Sequence, residues 1–477
     1  MSNVRTDAPV RAGAERNPWS LFAVLATVQF MIVLDGGIVN IALPSIREDL
    51  GFTPTGLAWV MDAYMLSLGG FLLLGGRAAD LVGRRRLVLW GLVLFSLASL
   101  ACGLATEAWH LVVARAAQGL GGALVSPAAL ALVTDIFKEG PQRHRALGIW
   151  GSLGGFAGAV GILVGGLLLA GSWQWVFLIN VPIGAAALVV GARVLPESRP
   201  HGTGGLDVTG ALAVTGGLCL LIYAVVRGGV QGWTAAPTLA EFAVAALLLG
   251  AFVARQLRAA APLIPRVLFR RANVVLGNAV NTLLGALLFG LFFIIALFLQ
   301  QVRDYSPLLA AGATVPISIA MFTGSQLAFR TFARVPPVTV LWSSLVLQLA
   351  ALVWWGAVLD PRGGIVATFL LPAGVWCFGL GAAIVAAFVV CTDGLTGPTA
   401  GAGSGLVTTT LQIGGAVGVA VLTAVAESRT RGLETAAAAD ALTSGYAYGI
   451  GAAALMAAAG AVLALWLSRA PRPARLP

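Results

Sequence analysis

Three ionisable side chains lie inside stretches otherwise suited to hydrocarbon. They are Asp35 in FMIVLDGGIVNIALPSI (30–46), Asp62 in WVMDAYMLSL (59–68) and Arg115 in HLVVARAAQGLGGALV (110–125). A charge at the bilayer centre costs about 2.5–3.5 kcal/mol or more, so each calls for a reason. Two kinds of chemistry supply one. An Asp–Arg pair can fix how helices pack, or a carboxylate can load and release a proton as its distance from the arginine changes. Counted from the ends of their apolar runs at 1.5 Å per residue, Asp35, Asp62 and Arg115 sit roughly 13, 9 and 9 Å below the same membrane surface. Equal depth makes them the candidate proton-coupling set, provided their helices face one another. Asp62, nearest a helix end, also admits a plainer reading in which it sits among headgroups.

The elements that must position these residues follow from the composition. The chain has 477 residues, 58% hydrophobic and only 10% charged. Soluble domains carry about 25% charged residues. Fourteen apolar runs are long enough to cross a bilayer as helices: 20–43, 56–76, 86–106, 110–134, 146–170, 174–194, 208–227, 238–256, 273–299, 306–328, 335–356, 364–390, 404–426 and 444–468. With the N-terminus placed in the cytoplasm, 22 of the 29 basic residues fall on the inner side and 6 on the outer, with Arg115 within a span. That asymmetry follows the positive-inside rule and puts both termini in the cytoplasm. It also explains the net charge of +10 without nucleic acid. The first apolar run lacks a small-residue cleavage site and is expected to stay as a membrane helix. Cys102, Cys219, Cys377 and Cys391 lack metal-ligand spacing and read as small hydrophobes. No cofactor is expected, and the outer loop 427–443 could form a short surface helix.

Further motifs surround the charged set. In GRAADLVGRRR (76–86), Gly76 and Gly83 bracket Asp80, with Arg84 and Arg85 following. Asp80 could pair with either arginine or face a helix N-terminus; the plainer reading is a positive-inside loop. GSQLAFRTFAR (324–334) echoes this Gly-led basic connection in the second half, as expected of two six-helix repeats once spans seven and eight are set aside. In GGFAGAVGILVGG (154–166), Gly154, Gly158, Gly161 and Gly165 have the small-xxx-small spacing of a close helix contact or hinge. Tyr64, Asn278, Asn281 and Gln412 are polar groups that could line a substrate cavity, though hydrogen bonding between helices explains them equally well.

Here a resemblance enters. GRAADLVGRRR resembles the cytoplasmic signature loop of the major facilitator superfamily. LDGGIVNIALPSI (34–46), ARAAQGLGGAL (114–124), WQWVFLINVPIG (173–184) and TTTLQIGGAVG (408–418) are similar to segments of its fourteen-helix drug:proton antiporter branch. The resemblance implies an all-α polytopic membrane protein. Residues 1–200 and 263–477 would form two six-helix bundles, and 201–262 two inserted helices. It implies that Asp80, Arg84 and Arg85 latch the cytoplasmic face, with span thirteen, after TGPTAGAGSG (396–405), as a partner. Two departures stand out: Ile162 replaces the proline usual after a glycine in the fifth-span signature, and Gly37 replaces a frequent threonine. The expected function is proton-coupled export of small hydrophobic or cationic compounds such as drugs or antibiotics. Its partners would be protons, the small-molecule substrate and the lipid bilayer, with the protein a monomer in a bacterial inner membrane. The alternative is a symporter or facilitator for a native metabolite. The absence of a G-x-x-x-x-G-K-[ST] loop argues against direct ATP drive, and no His/Ser or His/acid set at membrane depth suggests an enzyme.

Overall fold

The computed structural model describes residues 17–469, apart from 138–141, 143–144, 147–148, 151–152, 154–159, 162–163, 170, 199–206, 260–261, 263, 265, 396–397 and 434–436. At some helical positions, Asp80 among them, only the backbone is described. The described chain is helical, with no strand. The helices are α1 (Pro18–Leu50), α2 (Trp59–Val82), α3 (Arg84–Gly103), α4 (Ala108–Ile136), α5 (described at 164–169), α6 (Asn180–Val194), α7 (Val208–Gln231), α8 (Ala236–Arg258), α9 (Ala272–Leu297), α10 (Pro307–Thr331), α11 (Pro337–Val358), α12 (Leu371–Thr392), α13 (Pro398–Arg431) and α14 (Ala438–Arg469). Among the described residues, twelve helices are long and apolar enough to cross a membrane. The 24-residue α2 runs beside them. In lipid such helices are favoured because each satisfies its backbone hydrogen bonds internally.

The ends of the helices are written locally. Asn17 accepts a hydrogen bond from the Trp19 N–H and Pro18 opens α1, as an N-cap followed by a first-turn proline should. Gly51 closes α1 with φ 67°. Gly83, with φ 114°, makes the break between α2 and α3. Ser306 caps α10 ahead of Pro307. The expected outer loop at 427–443 is much shorter, because α13 continues to Arg431 and α14 begins at Ala438; their polar flanking residues extend the helices. Residues 398–405 of TGPTAGAGSG likewise belong to α13, which already begins at Pro398.

Packing repeats along the chain. In the first half α4 packs on α2 and α3, and α6 on α3 and α1; in the second, α12 packs on α10 and α11, and α14 on α11 and α9. The motif echo marks matching points. A Cβ on Gly75 would lie 2.1 Å from the Ala123 carbonyl oxygen of α4, and one on Gly324 2.0 Å from that of Phe378 on α12. Helix α7 pairs with α8 and rests on α2 and α13, which themselves meet where the halves join. Antiparallel contacts between α9 and α14, Leu283 with Gly460 and Ile294 with Gly449, put the end of α14 beside the start of α9. We call that side, with the start of α1, the near face. On the far side Gln300 donates to the Ile41 carbonyl across the seam at 3.2 Å, and Ile41 and Ala311 are buried together.

Candidate functional site: a buried ion pair in the first bundle

Asp35 sits mid-way along α1 and Arg115 two turns into α4. Both are fully buried, with Arg115 Nη1 2.6 Å from Asp35 Oδ2. Burying two charges is repaid only when further hydrogen bonds satisfy the two groups, and here they complete Asp35 and engage two of the three guanidinium nitrogens of Arg115. Asp35 Oδ1 accepts from Gln118 Nε2 at 2.8 Å and from Asn180 Nδ2 at 2.7 Å. Arg115 also donates to Gln118 Oε1 at 2.7 Å and, through Nε, to the Val60 carbonyl at 2.9 Å. Gln118 Nε2 lies 2.7 Å from Ser99 Oγ. The Tyr64 ring lies 4.1 Å from the guanidinium carbon, a cation–π distance, and its hydroxyl donates to the Ile32 carbonyl at 2.9 Å.

The network therefore draws on α1, α2, α3, α4 and α6. Around Asp35 it presents three donors, which matches the acceptor-only inventory of a carboxylate. A proton on Asp35 would face a donor, so loading it requires the arginine or an amide to turn away. The hydrogen bonds that such a change would break tie together five helices. Among the described residues, Arg115 Nη2 and Asn180 Oδ1 have no hydrogen-bond partner.

Sequence depth brought Asp35 and Arg115 together correctly, but not Asp62. Asp62 is buried rather than among headgroups, and neither carboxyl oxygen has a hydrogen-bond partner among the described residues. It lies on α2 beyond the Arg115 shell, close enough to Cys219 of α7 for the two to interact electrostatically. The sequence reading missed Gln118, Asn180 and Ser99. Gln118 was legible, three residues after Arg115 on the same helical face. Asn180 and Ser99 are uncharged and come from other helices. Cys102, read as a plain hydrophobe, also approaches Gln118 Oε1, at 3.7 Å.

The remaining candidates fall into separate places. Gly161 and Gly165 pack against Leu34 and Ile38 of α1, either side of Asp35; Gly154, Gly158 and Ile162 lie outside the described residues. Gly76 packs on Pro127 of α4. Arg84 pairs with Asp135 of α4 at 2.5 Å, Ser198 donates to the same carboxylate, and Arg85 bonds the Ala192 carbonyl of α6. These arginines fasten α3 to α4 and α6 on the near face; the Asp80 side chain lies outside the described residues. Tyr64 is buried at the ion-pair site, against the guanidinium of Arg115. Asn278 and Asn281 clasp α9 to α13: Thr410 Oγ1 donates to Asn278 Oδ1 at 2.9 Å, and Asn281 donates to the Val407 carbonyl at 2.7 Å. Gln412 is half-buried against Gly69.

Two repeated helical halves and a buried ion network describe a polytopic transporter, and known proteins agree. The Major Facilitator Superfamily profile matches residues 25–419, and the chain belongs to that superfamily. It is 39% identical over 437 residues to the cephamycin export protein of Amycolatopsis lactamdurans, covering 91% of this chain and 90% of that one. It is 37% identical over 459 residues to the puromycin resistance protein of Streptomyces alboniger, covering 93% and 90%. Its fold matches a bacterial homologue of the human lysosomal transporter Spinster, in an inward-facing and unoccupied conformation, with TM-score 0.64 at 17% identity, covering 96% of this chain and 98% of that one. The xylose transporter of E. coli, inward open, gives TM-score 0.63 at 13% identity, covering 96% and 97%. The chain is thus a multi-pass membrane transporter for small molecules.

Proposed function

We propose that this protein exports antibiotic-class small molecules and that proton entry drives the export. The observation that carries the coupling is the Asp35–Arg115 pair, buried with its full set of donors. The export reading rests on the relatives named for cephamycin export and puromycin resistance. In this reading the protein has fourteen spans and works as a monomer in the bacterial inner membrane. Residues 1–200 and 263–477 form the two bundles, and 201–262 the inserted pair. The near face is cytoplasmic because it collects most of the basic residues. Alternating access moves one bundle against the other. Proton binding at Asp35 releases Arg115 and the two amides, and proton loss re-forms the network around the carboxylate. The near-face arginines hold one bundle rigid while it moves.

Expression in an efflux-deficient bacterium tests the export claim. Cells should accumulate less puromycin than controls, and a protonophore should restore accumulation. Equal accumulation with and without the protein would remove the export reading. Lower accumulation that a protonophore leaves unchanged would remove the coupling.

A further inference from the structure

The near-face connection between α8 and α9 combines an apolar cleft with unpaired positive charge. Leu268, Phe269, Val275, Ala279, Leu406 and Thr410 are among the residues lining a cavity of about 190 Å³ between α9 and α13. That is below the roughly 300–1,000 Å³ of a site for drug-sized ligands. Its polar members are already committed: Asn278 and Thr410 bond each other, and the Thr282 hydroxyl donates to the Asn278 carbonyl. The cleft therefore offers apolar wall without free polar groups. Val267, Phe269 and Val275, beside its mouth, are 42%, 52% and 43% exposed.

Charge surrounds this mouth. Arg266 and Arg270 flank Val267 and Phe269, and Arg258 ends α8 just before. All three are exposed. Among the described residues Arg258 and Arg270 have no ion-pair partner and Arg266 donates to the Ala259 carbonyl without one. No acidic residue occurs between Glu241 and Asp304. Arg255 is engaged by Asp207 and Arg271 by the Gly394 carbonyl. The basic groups left over stand at the level where membrane helices end.

We propose that this cleft is a binding site for an anionic phospholipid. One acyl chain lies between α9 and α13 against Phe269, Val275 and Ala279, and the phosphate headgroup meets Arg266 and Arg270. Basic pockets between membrane helices recognise anionic headgroups in this way, each arginine near the surface contributing about 1 kcal/mol. The chain would wedge beside the Asn278–Thr410 clasp, so the lipid would set how tightly α9 and α13 close on the near face.

The test uses the full-length protein, delipidated and then returned to nanodiscs of phosphatidylglycerol, phosphatidylcholine or their mixture. Lipid retained through a second detergent extraction is counted by native mass spectrometry. Wild type should retain phosphatidylglycerol over phosphatidylcholine. The double variant R266Q/R270Q should lose retention by about 30-fold, two arginine contributions of about 1 kcal/mol each. Ala279→Trp, which fills the cleft at an exposed position, should lose it with both arginines present. Equal retention of phosphatidylcholine, or full retention in either variant, overturns the site. Displacement by excess inorganic phosphate with no effect of Ala279→Trp overturns it too, and assigns the arginines to a free anion.

Discussion

At the residue scale, Asp35 is defined by its donors. Removing Arg115 leaves a buried carboxylate without its counter-ion, a change that costs about 3–5 kcal/mol. Arg115→Ala should therefore lower the thermal unfolding midpoint of the purified protein sharply, and an unchanged midpoint would mean the pair carries little. Asn180→Ala removes a neutral donor to a charged acceptor, worth about 1.5–3 kcal/mol. It should leave the protein folded and shift the pH at which transport is half-maximal; a loss of rate with no shift would assign Asn180 to packing alone. Asp35 and Arg115 were legible in the sequence because a charge in hydrocarbon is rare and expensive. Gln118 was legible only by its place one turn after Arg115, and Asn180 was not, since an amide in a membrane helix carries little such cost. Asp62 shows the limit in another way. Counting residues gives depth along a helix but not the direction in which a side chain faces its neighbours.

At the element scale, close contacts between helices do most of the positioning. Gly75 meets the Ala123 carbonyl of α4 so closely that a Cβ would fall at 2.1 Å. Gly75→Val must push α2 from α4, at about 1–3 kcal/mol for an overpacked contact. The same push disturbs Val60 and Tyr64, so this variant should lose transport as well as stability. Stability unchanged within error would show that the contact relaxes freely. The α7–α8 hairpin is clipped at both ends, by Asp207 with Arg255 and by Arg227 with Glu241. Burial works against charge on Asp207. The Arg255 side chain and the Gly210 N–H outweigh it and hold the carboxyl below the usual range. A lowered folded value means that its contribution is fully present above about pH 4, the unfolded value, and fades as pH falls further toward the folded one. Asp207→Asn should therefore lower the unfolding midpoint at pH 7 and narrow its difference from wild type as pH drops below 4. A difference constant with pH would mean that the charge is irrelevant. The helices themselves were largely readable from apolar runs. Their ends were less so, because helices such as α13 and α14 continue past the apolar stretch into polar residues.

At the scale of the whole molecule, the two halves share pairings but not chemistry. The first bundle has a charged network in its core. The corresponding region of the second packs aromatic side chains, with Trp355, Phe369 and Trp376 fully buried and ring centroids 5.4–6.0 Å apart. The proposed proton coupling thus rests on the first bundle, and the two halves touch at the seam of α2 with α13 and the far-face contact of Gln300 with Ile41. The measurement that tests this most directly uses proteoliposomes with an imposed pH gradient, puromycin as substrate and a lumenal pH indicator. Wild type should move protons against puromycin flux; Asp35→Asn, with a lower unfolding midpoint because Arg115 loses its counter-ion but with wild-type helical content and elution at the assay temperature, should give no coupled movement. Puromycin flux indifferent to the gradient, or full coupling in Asp35→Asn, would contradict the assignment of Asp35 as the proton carrier.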